Sequence, residues 1–334
     1  MKKLCLILFA TSIFLISCNS KKDSVSFEAM NTYMTIQSYG KNSHEANLEI
    51  MNRMIDLEEK LSTTKDTSTI FRLNNSDEKK ILADEDTLFL VDYAKSLYEK
   101  TDGALNIALY PIISAWGFTN GNYRIPEINE INSLLMHTDA SKITISDDKI
   151  ITLEPEMKID LGAIGKGYAG DEAIKILKKN GIKSALLDLG GNIQTLGTKP
   201  DGNLWSIGIK NPWDGTAAAG IKIEDKAVIT SGGYERYFIG EDGKKYIHIF
   251  DGKTGMPAEN NIASVTIICD SGLYGDALST SLFVMDLEKA EIFWKKNKNF
   301  DLIILTNNNE IHYTCGIEEN LTLIHPFTKT TIIR

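Results

Sequence analysis

Between Ile159 and Asp171 the chain reads Ile-Asp-Leu-Gly-Ala-Ile-Gly-Lys-Gly-Tyr-Ala-Gly-Asp, and no other stretch limits the possible folds as tightly. Gly162, Gly165 and Gly167 surround Lys166 and lead into a helical pattern over residues 168–180. Ala169, Ala173, Ile176 and Leu177 share one face of that helix, and Gly181 supplies its stop. Glycines allow backbone N–H groups to approach a ligand, and a helix N-terminus favours an anion. The segment therefore suggests a phosphate site with Lys166 as a mobile positive charge. A tight loop that only caps a helix reads equally well. A Walker A loop is excluded: the Gly-x-x-Gly-Lys spacing is too short, and Gly167 stands where Ser or Thr is needed.

Around this segment the pattern is α+β, with one contiguous domain over residues 25–334. A strand is expected over residues 27–39. A helix follows over 44–61, with Leu48, Met51, Ile55 and Leu61 near one face, and another over 86–100. Residues 119–157 are polar, with short strands near 143–145 and 150–153. Strands follow at 184–189, 205–210, 227–230, 245–250 and 264–269. Helices at 273–285 and 289–297 precede short strands at 301–306, 310–315 and 321–324.

The first residues read as an export signal. Lys2-Lys3 precede an apolar run from Leu4 to Ile16, shorter than the roughly 20 residues of a comfortable span. The run ends in Leu15-Ile16-Ser17-Cys18, which resembles a bacterial lipobox. Residues 1–17 are then a signal peptide, Cys18 is the lipidated N-terminus, and residues 18–24 are a tether. A plain secretory signal with a chance cysteine is the alternative. The body is expected to be exported and held on a bacterial membrane, facing the periplasm. The net charge is −9, and loss of Lys2 and Lys3 takes it to −11, which argues against nucleic acid as a partner. Cys269 and Cys315 read as buried free thiols, although pairing is open in an oxidising compartment. His312 and Cys315 lack a second pair of metal ligands and read as strand residues.

Two further clusters could carry chemistry. Asp276 and Thr280 are four residues apart, so a helix puts them on one face, where they could begin an oxygen shell for a hard cation such as Mg²⁺. Helix capping by Asp276 with an incidental Thr280 is the plainer reading. His248 and Asp251 fall where a strand runs into a turn built on Gly252 and Gly255, and a lone histidine is more often structural. The turn from Thr230 to Arg236 is equally suggestive.

In this order the segments resemble the ApbE family of FAD:protein FMN transferases. The resemblance covers about residues 25–330. It rests on Met30-Asn-Thr32, Thr101-Asp-Gly-Ala-Leu-Asn106, Trp116-Gly-Phe118, Asp160 through Asp171, Leu189-Gly-Gly191, Thr230-Ser-Gly232, His248 through Pro257 and Asp276 through Thr280. It implies a single flavin-transferase domain with mixed sheets and packed helices. It also implies Mg²⁺ held by the Ala163 carbonyl, Asp276 and Thr280. Met30, Thr64, Ala104, Leu105, Asn106, Asp160, Lys166 and His248 would line the site for FAD.

The implied reaction moves FMN from FAD to a Thr or Ser hydroxyl of an acceptor redox protein and releases AMP, with His248 or Asp251 as the base. An FAD pyrophosphatase and a non-catalytic FAD-binding lipoprotein are the alternatives. Several positions depart from the family pattern. Asn31 replaces Gly, Thr64 an aromatic, Asn106 and Gly233 each an Asp, and Gly252 a Pro. These departures bear on the FAD pose, whereas the implied metal residues are intact.

Overall fold

The computed structural model describes residues 21–334. The apolar run and Cys18 lie outside the described residues. Among the described residues no helix is long and apolar enough to cross a membrane.

Strands β1 (Lys22–Ala29) and β2 (Thr32–Tyr39) form an antiparallel hairpin. Its two-residue turn is Met30-Asn31, at φ 50° and 57°. The sequence pattern predicts one strand over 27–39, and this is corrected. Alternation continues on both arms and hides a turn in which both central residues take positive φ.

Helix α1 (Ser43–Leu61) buries Ala46, Ile50, Met54, Leu57 and Leu61. The expected face is wrong in part: Leu48 and Ile55 are exposed, because the helix carries two apolar stripes and the sheet takes the other. Next come α2 (Thr69–Asn75), capped by the Ser68 side chain, β3 (Lys80–Leu82), and α3 (Glu85–Lys100), capped by Asp84. Helix α4 (Tyr110–Ala115), with Pro111 in its first turn, follows, and the stretch read as polar over 119–157 contains α5 (Ile128–Leu135). Strands β4 (Thr144–Ile145) and β5 (Ile150–Thr152) pair with β3 in a small sheet.

Helix α6 (Gly165–Lys179) starts one turn earlier than the pattern indicates. It ends at Gly181 (φ 75°), where the Ile182 amide donates to Leu177. Strands β6 (Ser184–Leu189), β7 (Asn192–Leu196), β8 (Trp205–Lys210), β9 (Ala217–Ile223) and β10 (Ala227–Gly232) follow. A small hairpin, β11 (Tyr237–Ile239) and β12 (Lys245–Ile247), leads to β13 (Ile262–Cys269), buried along its whole length. The chain closes with α7 (Gly272–Val284), α8 (Leu287–Asn297), β14 (Asp301–Thr306), β15 (Glu310–Thr314), β16 (Leu321–Leu323) and β17 (Lys329–Ile333).

The centre of the fold is a nine-stranded sheet, β1-β2-β6-β7-β10-β13-β14-β15-β17, with only the β15–β17 pair parallel. One face carries α1 and α6 over β2 and β6, and α7 and α8 over β13 and β14. The other face is covered by the β16-β9-β8 sheet, whose Trp205, Ile209 and Ile221 pack on Val228, Ile268 and Ile303. The α+β reading with mixed sheets is correct. Cys269 and Cys315 are both free, but Cys315 is exposed in the turn after β15, which corrects the buried reading for that residue. Burial pushes the Cys269 thiol up to about 12.

Candidate active site

The site is built where α6 crosses α7. A Cβ on Gly167 would lie 2.2 Å from the Gly272 carbonyl oxygen and 2.7 Å from the Asp276 Cβ. One on Gly272 would lie 2.6 Å from the Gly167 oxygen. Only glycine at both positions lets the backbones touch. Asp171, one turn further along α6, fixes the crossing. It accepts from the Ser271 hydroxyl at 2.7 Å and from the Gly272 and Leu273 amides at 2.6 and 3.1 Å, so it caps the N-terminus of α7. Asp276 itself is not a cap, since Ser271 fills that position.

The crossing redirects one hydrogen bond. The Gly167 amide donates to Asp276 Oδ2 at 2.8 Å instead of to the Ala163 carbonyl four residues back. The Ala163 oxygen is thereby released from the helix beside a carboxylate that is 6% exposed. Burial raises the Asp276 carboxyl above its ordinary range, while Lys166 and the Gly167 amide pull it back. Thr280 lies one turn on, 3.3 Å from Ser231 Oγ. A carbonyl, a carboxylate and a hydroxyl form an oxygen-only donor set suited to Mg²⁺. No cluster of three His, Cys, Asp or Glu that could hold a metal occurs among the described residues, so any such site depends on these mixed oxygens.

Lys166 sits in the first turn of α6, and its charge is felt by Asp160, Asp276 and His248. Asp160 accepts from the Gly162 amide at 2.6 Å, and its surroundings raise its carboxyl. The Asp160 amide donates to Ile107, which ties the glycine segment to residues 104–107. There Leu105 is 1% exposed, so only its backbone can face a ligand. Asn106 accepts from Ala108 and donates to Thr138, each at 2.8 Å. Asn106 also borders Gly252: a Cβ on Gly252 would lie 3.2 Å from Asn106 Nδ2. Asn106 and Gly252 are thus neighbours. They line a polar cleft of about 360 Å³ with Tyr98, Asp102 and Thr138.

His248 falls just beyond β12, because the strand ends at Ile247 rather than Phe250. Its Nδ1 lies 3.1 Å from the Arg236 carbonyl. A carbonyl only accepts, so Nδ1 carries the proton and Nε2 is left as the acceptor. Burial, Arg236 and Lys166 lower its pKa to about 4. Asp251 instead serves the turn. Its carboxylate accepts from the Lys253 amide at 2.9 Å, and its carbonyl from Thr254 and Gly255. Trp116 anchors the same turn by donating to Gly255 at 3.1 Å, within a core that includes Phe250 and Tyr246.

Met30 tips the β1–β2 hairpin against the Gly190 turn, where a Cβ on Gly190 (φ 71°) would lie 2.0 Å from Thr32 Oγ1. Thr64 is exposed and bonds only back to Ser62, so the structure does not bring it to the cluster. The Tyr110 phenol is raised by burial and by Asp160. Tyr110 is a cluster residue that the motifs do not single out, and Arg236 closes the turn from Thr230 noted above, where the sequence assigns it no role. Only the chain fold, through α4 and the β11 turn, places them.

The fold and this site define an α+β protein with an oxygen-rich crossing of two helices. Residues 30–304 match the ApbE family, and the chain belongs to it. Among relatives, the FAD:protein FMN transferase of Haemophilus influenzae is 30% identical over 349 residues, 96% of this chain and 99% of that protein. That of Escherichia coli K12 is 29% identical over 311 residues, 85% and 87% of the two chains. Among solved structures, the ApbE protein of Thermotoga maritima superposes with a TM-score of 0.85 at 31% identity, covering 90% of this chain and 99% of that one. The flavin transferase ApbE of Vibrio cholerae gives 0.81 at 26% identity, covering 90% and 99%.

Proposed function

We propose that this chain is an FAD:protein FMN transferase, dependent on Mg²⁺, that attaches FMN to a Thr or Ser hydroxyl of an exported redox protein. The observation that carries the reading is the diverted Gly167 amide, which frees the Ala163 carbonyl beside Asp276 and Thr280. Those three groups would hold Mg²⁺, which when bound neutralises charge on phosphoryl oxygens. Lys166 and the N-terminus of α6 bind the diphosphate of FAD, and Lys166 opposes charge that develops on it. The acceptor oxygen attacks the FMN phosphorus, the bond to the AMP oxygen breaks, and AMP leaves. His248 Nε2 takes the acceptor proton. Its low pKa keeps it neutral, and the Arg236 carbonyl fixes its tautomer. Asp251 holds the turn that presents it.

The same reading places the enzyme on a bacterial membrane through acylated Cys18, facing the periplasm. Incubation with FAD, Mg²⁺ and a threonine-bearing acceptor tests the reaction by the acceptor's mass and by AMP. An FMN adduct with equal AMP is expected. AMP with free FMN and no adduct would make water the acceptor, and no AMP would leave a binding protein.

A further inference from the structure

Asn192 opens β7 directly after the Gly190-Gly191 turn. It is 2% exposed, and neither its Oδ1 nor its Nδ2 meets a hydrogen-bond partner. Buried amides are almost always paired, so a wholly uncompensated one calls for a physical reason. Its direction follows from the ladder. Asn192 pairs with Ile229, and Gln194 with Ala227. Alternate residues of a strand share a face. Asn192 therefore stands on the side where Gln194 donates to the Gly167 carbonyl at 3.1 Å.

On that side α7 runs along β10. A Cβ on Gly272 would strike Gln194, and one on Gly275 would lie 2.9 Å from Ile229 Cδ1. Further on, Ser231 Oγ reaches Ser279 Oγ at 2.8 Å and Thr280 Oγ1 at 3.3 Å. Asn192, level with Ile229, thus faces the seam of α6 and α7 at the height of Gly275 and Asp276. The same seam carries the Gly167–Asp276 bond and, in the first turn of α6, Lys166.

We propose that Asn192 is a binding residue of the FAD site at this seam. Its Nδ2 donates to a diphosphate oxygen of the dinucleotide, and its Oδ1 accepts from water ordered around the cation. The proposal rests on the transferase reading, and the test separates the two. FAD is titrated with MgCl₂ present by flavin fluorescence, against wild type, Asn192→Leu, Asn192→Ala and Lys166→Ala, and each apo Tm is recorded.

Both Asn192 variants are expected to bind FAD roughly tenfold to a hundredfold more weakly, the range for a hydrogen bond to a charged group. Their apo Tm should hold or rise, most clearly for Asn192→Leu, which removes an uncompensated polar group at similar volume. Unchanged affinity in both, with affinity lost in Lys166→Ala, overturns the role of Asn192 and leaves the transferase reading standing. A fall of apo Tm in both marks a structural amide and also overturns it. A wild-type protein without FAD affinity removes the reading itself.

Discussion

The Gly167 amide donates to Asp276 Oδ2 at 2.8 Å across 109 residues of sequence. This one bond joins two helices and leaves the Ala163 carbonyl outside the hydrogen-bond ladder of α6. Asp276→Asn keeps an acceptor for that amide and removes the charge. Its apo Tm should stay level or rise, because a desolvated carboxyl is gone, while transfer and any Mg²⁺-induced rise in Tm are lost. Thermal melts with and without MgCl₂ and an AMP assay check this. Full activity would remove Asp276 from the metal site.

Gly167→Ala tests the crossing. The added methyl would meet the Gly272 backbone at 2.2 Å, and backbone cannot swing aside as a side chain can. Overpacking of this kind costs about 1–3 kcal/mol. Denaturant melts should show that loss, with FAD affinity falling in parallel as Asp276 is displaced.

His248 sets a pH signature. With its pKa near 4, the acid limb it imposes on transfer should fall near pH 4 rather than near the ordinary value of about 6.5. Stability carries the same sign. Between about 6.5 and 4 the unfolded chain takes up a proton that the folded chain refuses, so His248 costs stability as pH falls through that window. His248→Gln should therefore gain in Tm relative to wild type as pH drops from 7 to 4.5. A constant difference would contradict the lowered pKa.

Three helices are tied by one ionic network. Arg53 of α1 meets Asp86 of α3 at 2.5 Å and Glu172 of α6 at 2.8 Å. Lys60 and the Tyr168 hydroxyl complete the shell of Asp86 at 2.9 and 2.6 Å. Burial opposes the charge, but Arg53, Tyr168 and Lys60 hold the Asp86 carboxyl well below its usual range. Its contribution is present above about pH 3.9 and disappears as pH falls through the depressed folded value. Arg53→Met strands a buried carboxylate and should cost roughly 3 kcal/mol at pH 7, with a smaller loss near pH 3. Urea melts at the two pH values measure the difference.

The proposed anchor has its own test. Mass spectrometry of the membrane fraction should find an acylated N-terminal peptide beginning at Cys18, and Cys18→Ala should release the chain from that fraction. A mature chain that begins elsewhere refutes it.

Motif order made the family legible, and helical spacing put Asp276 and Thr280 on one face, as α7 bears out. What the sequence did not reveal depended on contacts between distant segments. The Met30-Asn31 turn was hidden because alternation runs through both arms of the hairpin. Leu48 and Ile55 were assigned to the core of α1 because nothing local says which of two apolar stripes meets the sheet. Tyr110 carries no motif, and Arg236, at the end of the Thr230 turn, has no assigned role until the fold sets its carbonyl against His248. Asn192 falls in no motif and in none of the expected strands, and a missing hydrogen-bond partner is a property of space.

The separation between Gly167 and Asp276 also orders events in time. Asp171 and Ser271, which fix the same crossing, are 100 residues apart. Between them lie strands β6 to β13, and long loops must close before such contacts repay their entropy. The nucleotide cleft therefore cannot exist in a half-made chain. A polypeptide that leaves the cytoplasm unfolded would cross without FAD, and would meet its nucleotide only after the central strands had paired on the far side.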